Sequence, residues 1–115
     1  QSNRIAKYIK DKYQVNPEFL WDKTPDCGVF RNKDTNKWFG IIMQIDRSKL
    51  MNQKGLVEVI NVKINDLVDD YVDNKSIFKA YHMNKKSWIT IILDESLKDC
   101  DIIKLVDKSY DLVSK

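Results

Sequence analysis

Residues 80–91 read Ala-Tyr-His-Met-Asn-Lys-Lys-Ser-Trp-Ile-Thr-Ile, and this stretch decides more about the fold than any other. A polar, basic segment at 84–87 separates an aromatic end from an apolar run with β-branched residues. Aromatic and β-branched residues favour strands, whereas Asn and Ser favour turns. The stretch therefore predicts a β-hairpin with strands over 78–82 and 87–93 and a basic turn between them.

Helical spacing of apolar residues predicts two long helices, one over residues 4–13 and one over 97–113. Asn65-Asp66 offers an N-cap and an acidic first turn, which predicts a short helix after it. Residues 14–27 have no sustained period and contain two prolines, so we expect an irregular connector. Its apolar run, Phe19-Leu20-Trp21, is expected to pack on the core.

Three further strands are predicted over residues 28–31, 38–45 and 56–64. In the second of them, alternation places Phe39 on one face and Trp38 on the other, with both faces at least partly covered, so it is not expected to be an edge strand. In the third, a slip in the alternation suggests a bulge. The order α-β(3)-α-β(2)-α predicts an α+β fold: a two-layer sandwich with a largely antiparallel sheet and helices packed on one face.

Composition fits a single domain. The chain has 115 residues, 43% of them apolar, which is enough to close one core without disulfides or metal. Gln1-Ser2-Asn3 resembles the remnant of a cleavable tag, so the domain is expected to span residues 4–115. Twenty basic and 17 acidic residues give a net charge of +3, which permits a polyanionic partner without requiring one.

Cysteine use and hydropathy indicate a cytoplasmic protein. Cys27 and Cys100 are far apart and form no Cys-x-x-Cys motif, so reduced thiols are expected. The longest apolar stretches, such as residues 89–93, are far shorter than the roughly 20 residues that span a bilayer. We therefore expect no membrane anchor.

Three segments carry a family resemblance: Asn-Lys-Trp-Phe-Gly at 36–40, Val-Ile-Asn-Val-Lys at 59–63, and the stretch 80–91. Together they resemble the MmcQ/YjbR family, small bacterial proteins described as DNA-binding by proposal. The resemblance covers nearly everything from Ile5 to Leu112. It implies the same arrangement of three strands followed by two, which is also seen in bacterial secretion chaperones.

Sequence motifs for catalysis are absent, so the chain is not expected to be an enzyme. His82 is the only histidine, and it lies next to a predicted turn with no local carboxylate or nucleophile partner. One histidine and two distant cysteines do not form a zinc site. No glycine-rich phosphate loop is present. We therefore expect neither a metal nor another cofactor.

Both predicted hairpin turns are basic. Arg31, Lys33 and Lys37 against Asp34 give the first a charge of +2, and three lysines give the second +3, namely Lys79, Lys85 and Lys86. Lysine and arginine side chains on such turns can contact nucleic-acid phosphates. The family resemblance implies a pair of DNA-binding wings. It assigns them to six residues: Arg31, Lys33, Lys37, Asn84, Lys85 and Lys86. Without a recognition helix, any DNA binding is expected to be weak and non-specific.

Other interpretations stay open. Lysine and asparagine also serve solubility and turn geometry in exposed hairpins. Trp38, Trp88 and Tyr81 could stack on unpaired bases, although packing against the sheet is the commoner role. A protein-interaction module with a secretion-chaperone-like fold is the main alternative. A further one is a small-molecule site built from Trp21, Trp38, Tyr81 and His82, which requires a pocket between connector and sheet.

Overall fold

The fold is α+β, as the sequence predicts. A computed structural model describes all 115 residues as three helices and a six-stranded antiparallel sheet. The helices are α1 (Ser2–Tyr13), α2 (Val68–Tyr71) and α3 (Asp99–Leu112), and the strands are β1 (Glu18–Phe19), β2 (Gly28–Arg31), β3 (Trp38–Asp46), β4 (Leu56–Lys63), β5 (Ile77–Lys79) and β6 (Trp88–Ile92). None of the helices combines the length and apolar composition that a membrane crossing requires.

Helix α1 begins at Ser2, two residues before the predicted start. Ser2 is buried, and the side chain of Gln1 donates to the carbonyl oxygen of Leu97 over 2.7 Å. Gln1 and Ser2, which the sequence prediction excluded from the domain as part of a tag remnant, therefore pack against it. Ile5 and Ile9, which the helical period placed on the inner stripe, are completely buried.

The sheet has the strand order β1-β2-β3-β4-β6-β5, with every neighbouring pair antiparallel. β3 and β4 are interior strands, in agreement with the prediction that β3 is not an edge strand. The predicted connector contains one element that the sequence analysis missed, the two-residue strand β1 at the sheet edge. Two residues are too few for a periodicity signal, so only pairing with β2 defines this strand.

All three helices cover the same face of the sheet. Their apolar residues join the inner faces of the strands in one core cluster, which includes Ile5, Ile9, Val68, Ile102, Leu105 and Val106 from the helices. The opposite face carries a smaller cluster, Ile45, Val57, Val59, Phe78 and Ile92, to which no helix contributes. That face is only partly covered by loop residues, Leu50, Met51 and Tyr81 among them.

The predicted bulge in β4 is wrong. β4 pairs with β3 in unbroken register from Leu56 to Val62. Apolar residues are buried on both faces of β4, and this burial accounts for the apparent slip in the alternation. The irregularity lies between β2 and β3 instead: Phe30 pairs with Gly40 and Arg31 with Trp38, which leaves Phe39 as the extra residue.

This bulge reverses the predicted faces at the start of β3. Phe39 turns into the helix-side core, where its ring packs edge-on against Tyr13 and Tyr110 at centroid distances of 5.9 and 5.0 Å. Trp38 consequently faces the side of the sheet that the helices leave uncovered, together with Ile41. The alternation rule fails here because the extra residue changes its phase.

Two smaller predictions are also wrong. Asn65 does not cap α2 with its side chain; it adopts a left-handed conformation (φ 55°) and begins a 3-10 turn before the helix. Asparagine tolerates this conformation better than most residues, which suits it to the turn. The run Phe19-Leu20-Trp21 is exposed, at 60%, 44% and 40%, rather than packed on the core.

Candidate functional site

Both hairpin turns leave the sheet at the same end of the strands. β3 begins where β4 ends, since Gly40 pairs with Val62, and β6 begins there too, since Trp88 pairs with Lys63. We call this the wing end of the sheet. β3 and β6 lie on either side of β4, so the two turns are separated by about two strand spacings, or about 10 Å.

The first turn, residues 32–37, is fixed to the end of α3. Asn32 is 1% exposed; its side-chain oxygen accepts from the amides of Asp34 and Thr35, and its side-chain nitrogen donates to Ser114 over 2.9 Å. The Thr35 hydroxyl donates to the carbonyl oxygen of Val113 over 2.6 Å. The turn is therefore compact and docked on the helix.

Arg31 does not lie on that turn. It ends β2, where its Nε is 2.8 Å from a carboxylate oxygen of Glu18 and its guanidinium lies 5.8 Å from the ring centroid of Trp38. Its charge is paired within the sheet, which removes it from the +2 assigned to the first turn. Lys33 and Lys37 remain exposed, with Asp34 between them.

The second turn, residues 84–87, is built around Asn84. Its carbonyl oxygen accepts from the amides of Ser87 and Trp88, and its side-chain oxygen accepts from the amide of Lys86 over 2.9 Å. This use of the side chain is a turn-forming role. Asn84, Lys85 and Lys86 are all exposed.

Five exposed lysines lie at the wing end without a carboxylate partner. We call them the wing lysines: Lys33, Lys37, Lys79, Lys85 and Lys86. None takes part in any of the ion pairs of the structure, although Lys37 donates to a main-chain oxygen of Lys115. Lys79 ends β5 next to the second turn.

A buried polar network holds the segment that leads into the second turn. β5 ends at Lys79 rather than continuing to residue 82 as predicted, because the backbone of Tyr81 bonds to side chains instead of the ladder. Its amide donates to the Thr90 hydroxyl over 2.9 Å, and its carbonyl accepts from the Asn61 side chain over 3.0 Å. His82 follows with a φ of 61°.

The aromatic residues that were predicted to stack on bases or to line a pocket differ in exposure. Trp88 is 8% exposed, so almost none of its ring is available to an unpaired base. Trp38, Tyr81 and His82 instead line an open cleft of about 630 Å³ on the face that the helices leave uncovered, together with Trp21. These are the four residues of the small-molecule alternative, and the pocket that it requires is present.

The cleft has an apolar floor and walls from two loops. The floor is β3, through Ile41, Met43 and Ile45; one wall is the connector, Trp21 to Cys27, and the other is Tyr81 to Met83. Burial raises the pKa of the Cys27 thiol, so it stays protonated and adds to the apolar lining. The sequence prediction did not include Ile41, Met43 and Ile45 among the site residues, although the alternation along β3 places them on one face.

Comparisons with known proteins agree with the fold. The family model for YjbR matches residues 10–112. The chain is 32% identical over 110 residues to YyaQ, an uncharacterized protein of Bacillus subtilis (strain 168), which covers 94% of this chain and 93% of YyaQ.

Solved structures are similar over nearly the whole chain. A crystal structure of a Pseudomonas syringae protein superposes with a TM-score of 0.93 at 35% identity, covering 98% of both chains. Deinococcus radiodurans protein DR2400 superposes with a TM-score of 0.70 at 22% identity, covering 95% of this chain and 75% of that one. The second similarity concerns the fold alone.

Proposed function

This chain belongs to the YjbR family, and on that premise we propose that it is a non-catalytic domain that binds nucleic acid through the two turns at its wing end. One observation carries the proposal: the wing lysines share one end of the sheet and have no carboxylate partners. Lysine ammonium groups without a carboxylate side-chain partner bind phosphates as point charges.

The spacing of the turns supports contact with one nucleic-acid surface. Turns about 10 Å apart can meet the same backbone, and neither has to unfold to do so. The first is docked on α3 and the second is closed by Asn84, so little conformational entropy is lost on binding. Neither turn carries an arginine that could pair with guanine, which favours binding without sequence preference.

The salt dependence of binding tests this proposal. A labelled duplex is titrated with the protein at several salt concentrations while fluorescence anisotropy is recorded. If all five wing lysines neutralise phosphates, the slope of log affinity against log salt is about −4.5, at about 0.9 per phosphate. A slope near zero, or no binding at tens of micromolar, would overturn the electrostatic mechanism.

The exposed run Phe19-Leu20-Trp21 favours a second candidate, a protein-interaction module. Neighbouring exposed apolar side chains often mark a protein contact. A second copy of this chain is the simplest partner, and sedimentation at rising concentration would detect it. Association that Leu20→Ser abolishes would support this function, whereas a monomer at every concentration would exclude self-association.

A further inference from the structure

The aromatic cleft is lined by none of the wing lysines, so the proposed phosphate contacts do not explain it. Its volume of about 630 Å³ is in the range of small-molecule sites, roughly 300–1,000 Å³. It lies on the uncovered face of the sheet, with Trp38 and Tyr81 at the wing end.

Four aromatic side chains from three separate segments meet in this cleft. The rings of Trp21 and Trp38 stand edge to face, with centroids 5.9 Å apart and planes at 82°. The rings of Tyr81 and His82 are 4.0 Å apart on the other wall. The bulge at Phe39 is what turns Trp38 to this side. The result is an aromatic-walled slot, an arrangement that suits a flat ring.

Trp21 is more exposed than a packing role explains. It is 40% exposed although tryptophan is usually well buried. Its ring borders the cleft and contacts Trp38, so a ligand ring that entered would cover part of it. Burial of that apolar surface would favour binding.

The polar groups around the cleft include both donors and acceptors. Lys23 and Lys49 oppose Asp26 and Asp46, so the lining has no net charge, and Thr24 and Gln44 add neutral donors and acceptors. A lining of this kind does not select a strongly charged ligand. It matches a ring whose rim carries both N–H donors and nitrogen or oxygen acceptors.

We propose that this cleft binds a planar heteroaromatic ring of nucleobase size. The ring lies among Trp21, Trp38 and Tyr81 above the floor of β3, and its polar rim faces the donors and acceptors of the lining. Such a ring could come from a free nucleoside-like compound or from an unpaired base in a strand. The inference does not require that the wing lysines bind phosphate.

The two cysteines provide a built-in test, because Cys27 lines the cleft and Cys100 is exposed on α3. Adenosine, thymidine and indole are titrated while alkylation of both thiols and tryptophan fluorescence are followed. We expect at least one probe to quench the fluorescence saturably and to slow alkylation of Cys27 without affecting Cys100. Ribose, which has no aromatic ring, should do neither.

A matched pair of variants assigns the effect to the cleft. Trp21→Ala should weaken probe binding about 5- to 150-fold, the range expected for loss of a base-stacking ring. Phe19→Ala, at a more exposed aromatic position two residues earlier and outside this cleft, should leave probe binding unchanged. Thermal unfolding of both variants checks that they are folded.

A final arm identifies the source of the ring. A short single-stranded oligonucleotide is compared with an abasic strand of equal length and with the free nucleosides. Protection of Cys27 by nucleosides assigns a small-molecule site, and protection by the base-containing strand alone assigns an unpaired base. If no probe protects Cys27, or if Trp21→Ala binds as well as wild type, the proposal is overturned, whatever the salt slope of duplex binding.

Discussion

Asn61 and Thr90 are polar residues buried in the central strands, where hydrogen bonds satisfy their side chains. The Thr90 hydroxyl donates to the Asn61 side-chain oxygen over 2.5 Å while it accepts from the amide of Tyr81. A buried polar group is costly unless it is paired, and here each partner satisfies another. The pair thus joins β4 and β6 to the segment that forms one wall of the cleft.

Replacement of Thr90 by valine should therefore destabilise the domain. The shape is kept, but the amide of Tyr81 and the Asn61 oxygen lose their partner in the interior. We expect the free energy of unfolding to fall by about 1–3 kcal/mol in urea titrations. Thr24→Val, at an exposed position with no side-chain hydrogen bond, is the control and should change it by less than about 0.5 kcal/mol. Equal effects would contradict the role of the network.

Asp107 joins α3 to α1 through two tyrosines. It accepts from the Tyr13 hydroxyl over 2.6 Å and from the Tyr8 hydroxyl over 2.8 Å. Burial, together with the Asp107 carboxylate, raises the pKa of both hydroxyls. A raised pKa means that the protonated hydroxyls stabilise the folded state. A tyrosine in the unfolded chain ionises near pH 10, so this contribution to stability is complete below about pH 10 and is lost as the pH rises towards the folded-state pKa values.

The pH dependence of Tyr13→Phe tests this sign. The ring still stacks on Tyr110, but the hydroxyl that ionises is gone. The variant should be less stable than wild type near pH 8, and the difference should shrink by about pH 11. Tyr71→Phe, which removes an exposed hydroxyl with no hydrogen bond, should show no such convergence. Parallel stability curves for wild type and Tyr13→Phe would contradict the account.

At the scale of elements, the sequence predicts the features that depend on local periodicity and misses those that depend on contacts between distant segments. The hairpins, α1 and α3 follow from periods of 2 and 3.6 residues, which only the chain itself sets. The bulge at Phe39 depends on the rings of Tyr13 and Tyr110, which are distant in sequence. The same limit explains the candidate site: the basic turns were predictable, whereas the ion pair of Arg31 with Glu18 needs β1.

Strand β1 and the connector depend on a glycine. A Cβ at Gly28 would lie 2.8 Å from the Cβ of Pro17 and 3.1 Å from a ring carbon of Phe19. Gly28→Ala should therefore push β1 off β2 and destabilise the domain by about 1–3 kcal/mol. Amide hydrogen exchange at Glu18 and Phe19 should accelerate, because these residues pair with β2.

Gly40→Ala is the matched control in the neighbouring strand. There a Cβ would meet no atom closer than 3.4 Å, so the substitution should change stability by less than about 1 kcal/mol. If both substitutions cost the same, the close approach of the connector to Gly28 does not position β1.

At the scale of the whole molecule, the two ends of the sheet differ in how their charges are used. At the end opposite the wings, Arg4 pairs with Glu95 and with Asp99, whose pKa it lowers to about 2, and Arg47 pairs with Asp94. The wing lysines have no such partners. The net charge of +3 is therefore unevenly distributed, because lysines without carboxylate partners are concentrated at the wing end.

The two ends allow a comparison at constant net charge. Lys85→Ala/Lys86→Ala removes two lysines at the second turn. Lys54→Ala/Lys98→Ala removes two exposed lysines beyond the opposite ends of the strands. Each double variant lowers the formal charge from +3 to +1. A difference between them therefore reports where the charge lies.

The measurement that tests the central claim most directly is duplex DNA affinity for these two variants and wild type across a salt series. The wing variant should bind at least tenfold more weakly, with a salt slope less negative by about 2, or about 1 per lysine. The control variant should keep both its affinity and its slope close to those of wild type. Equal losses in the two variants, or none in either, would contradict nucleic-acid binding through the wing end.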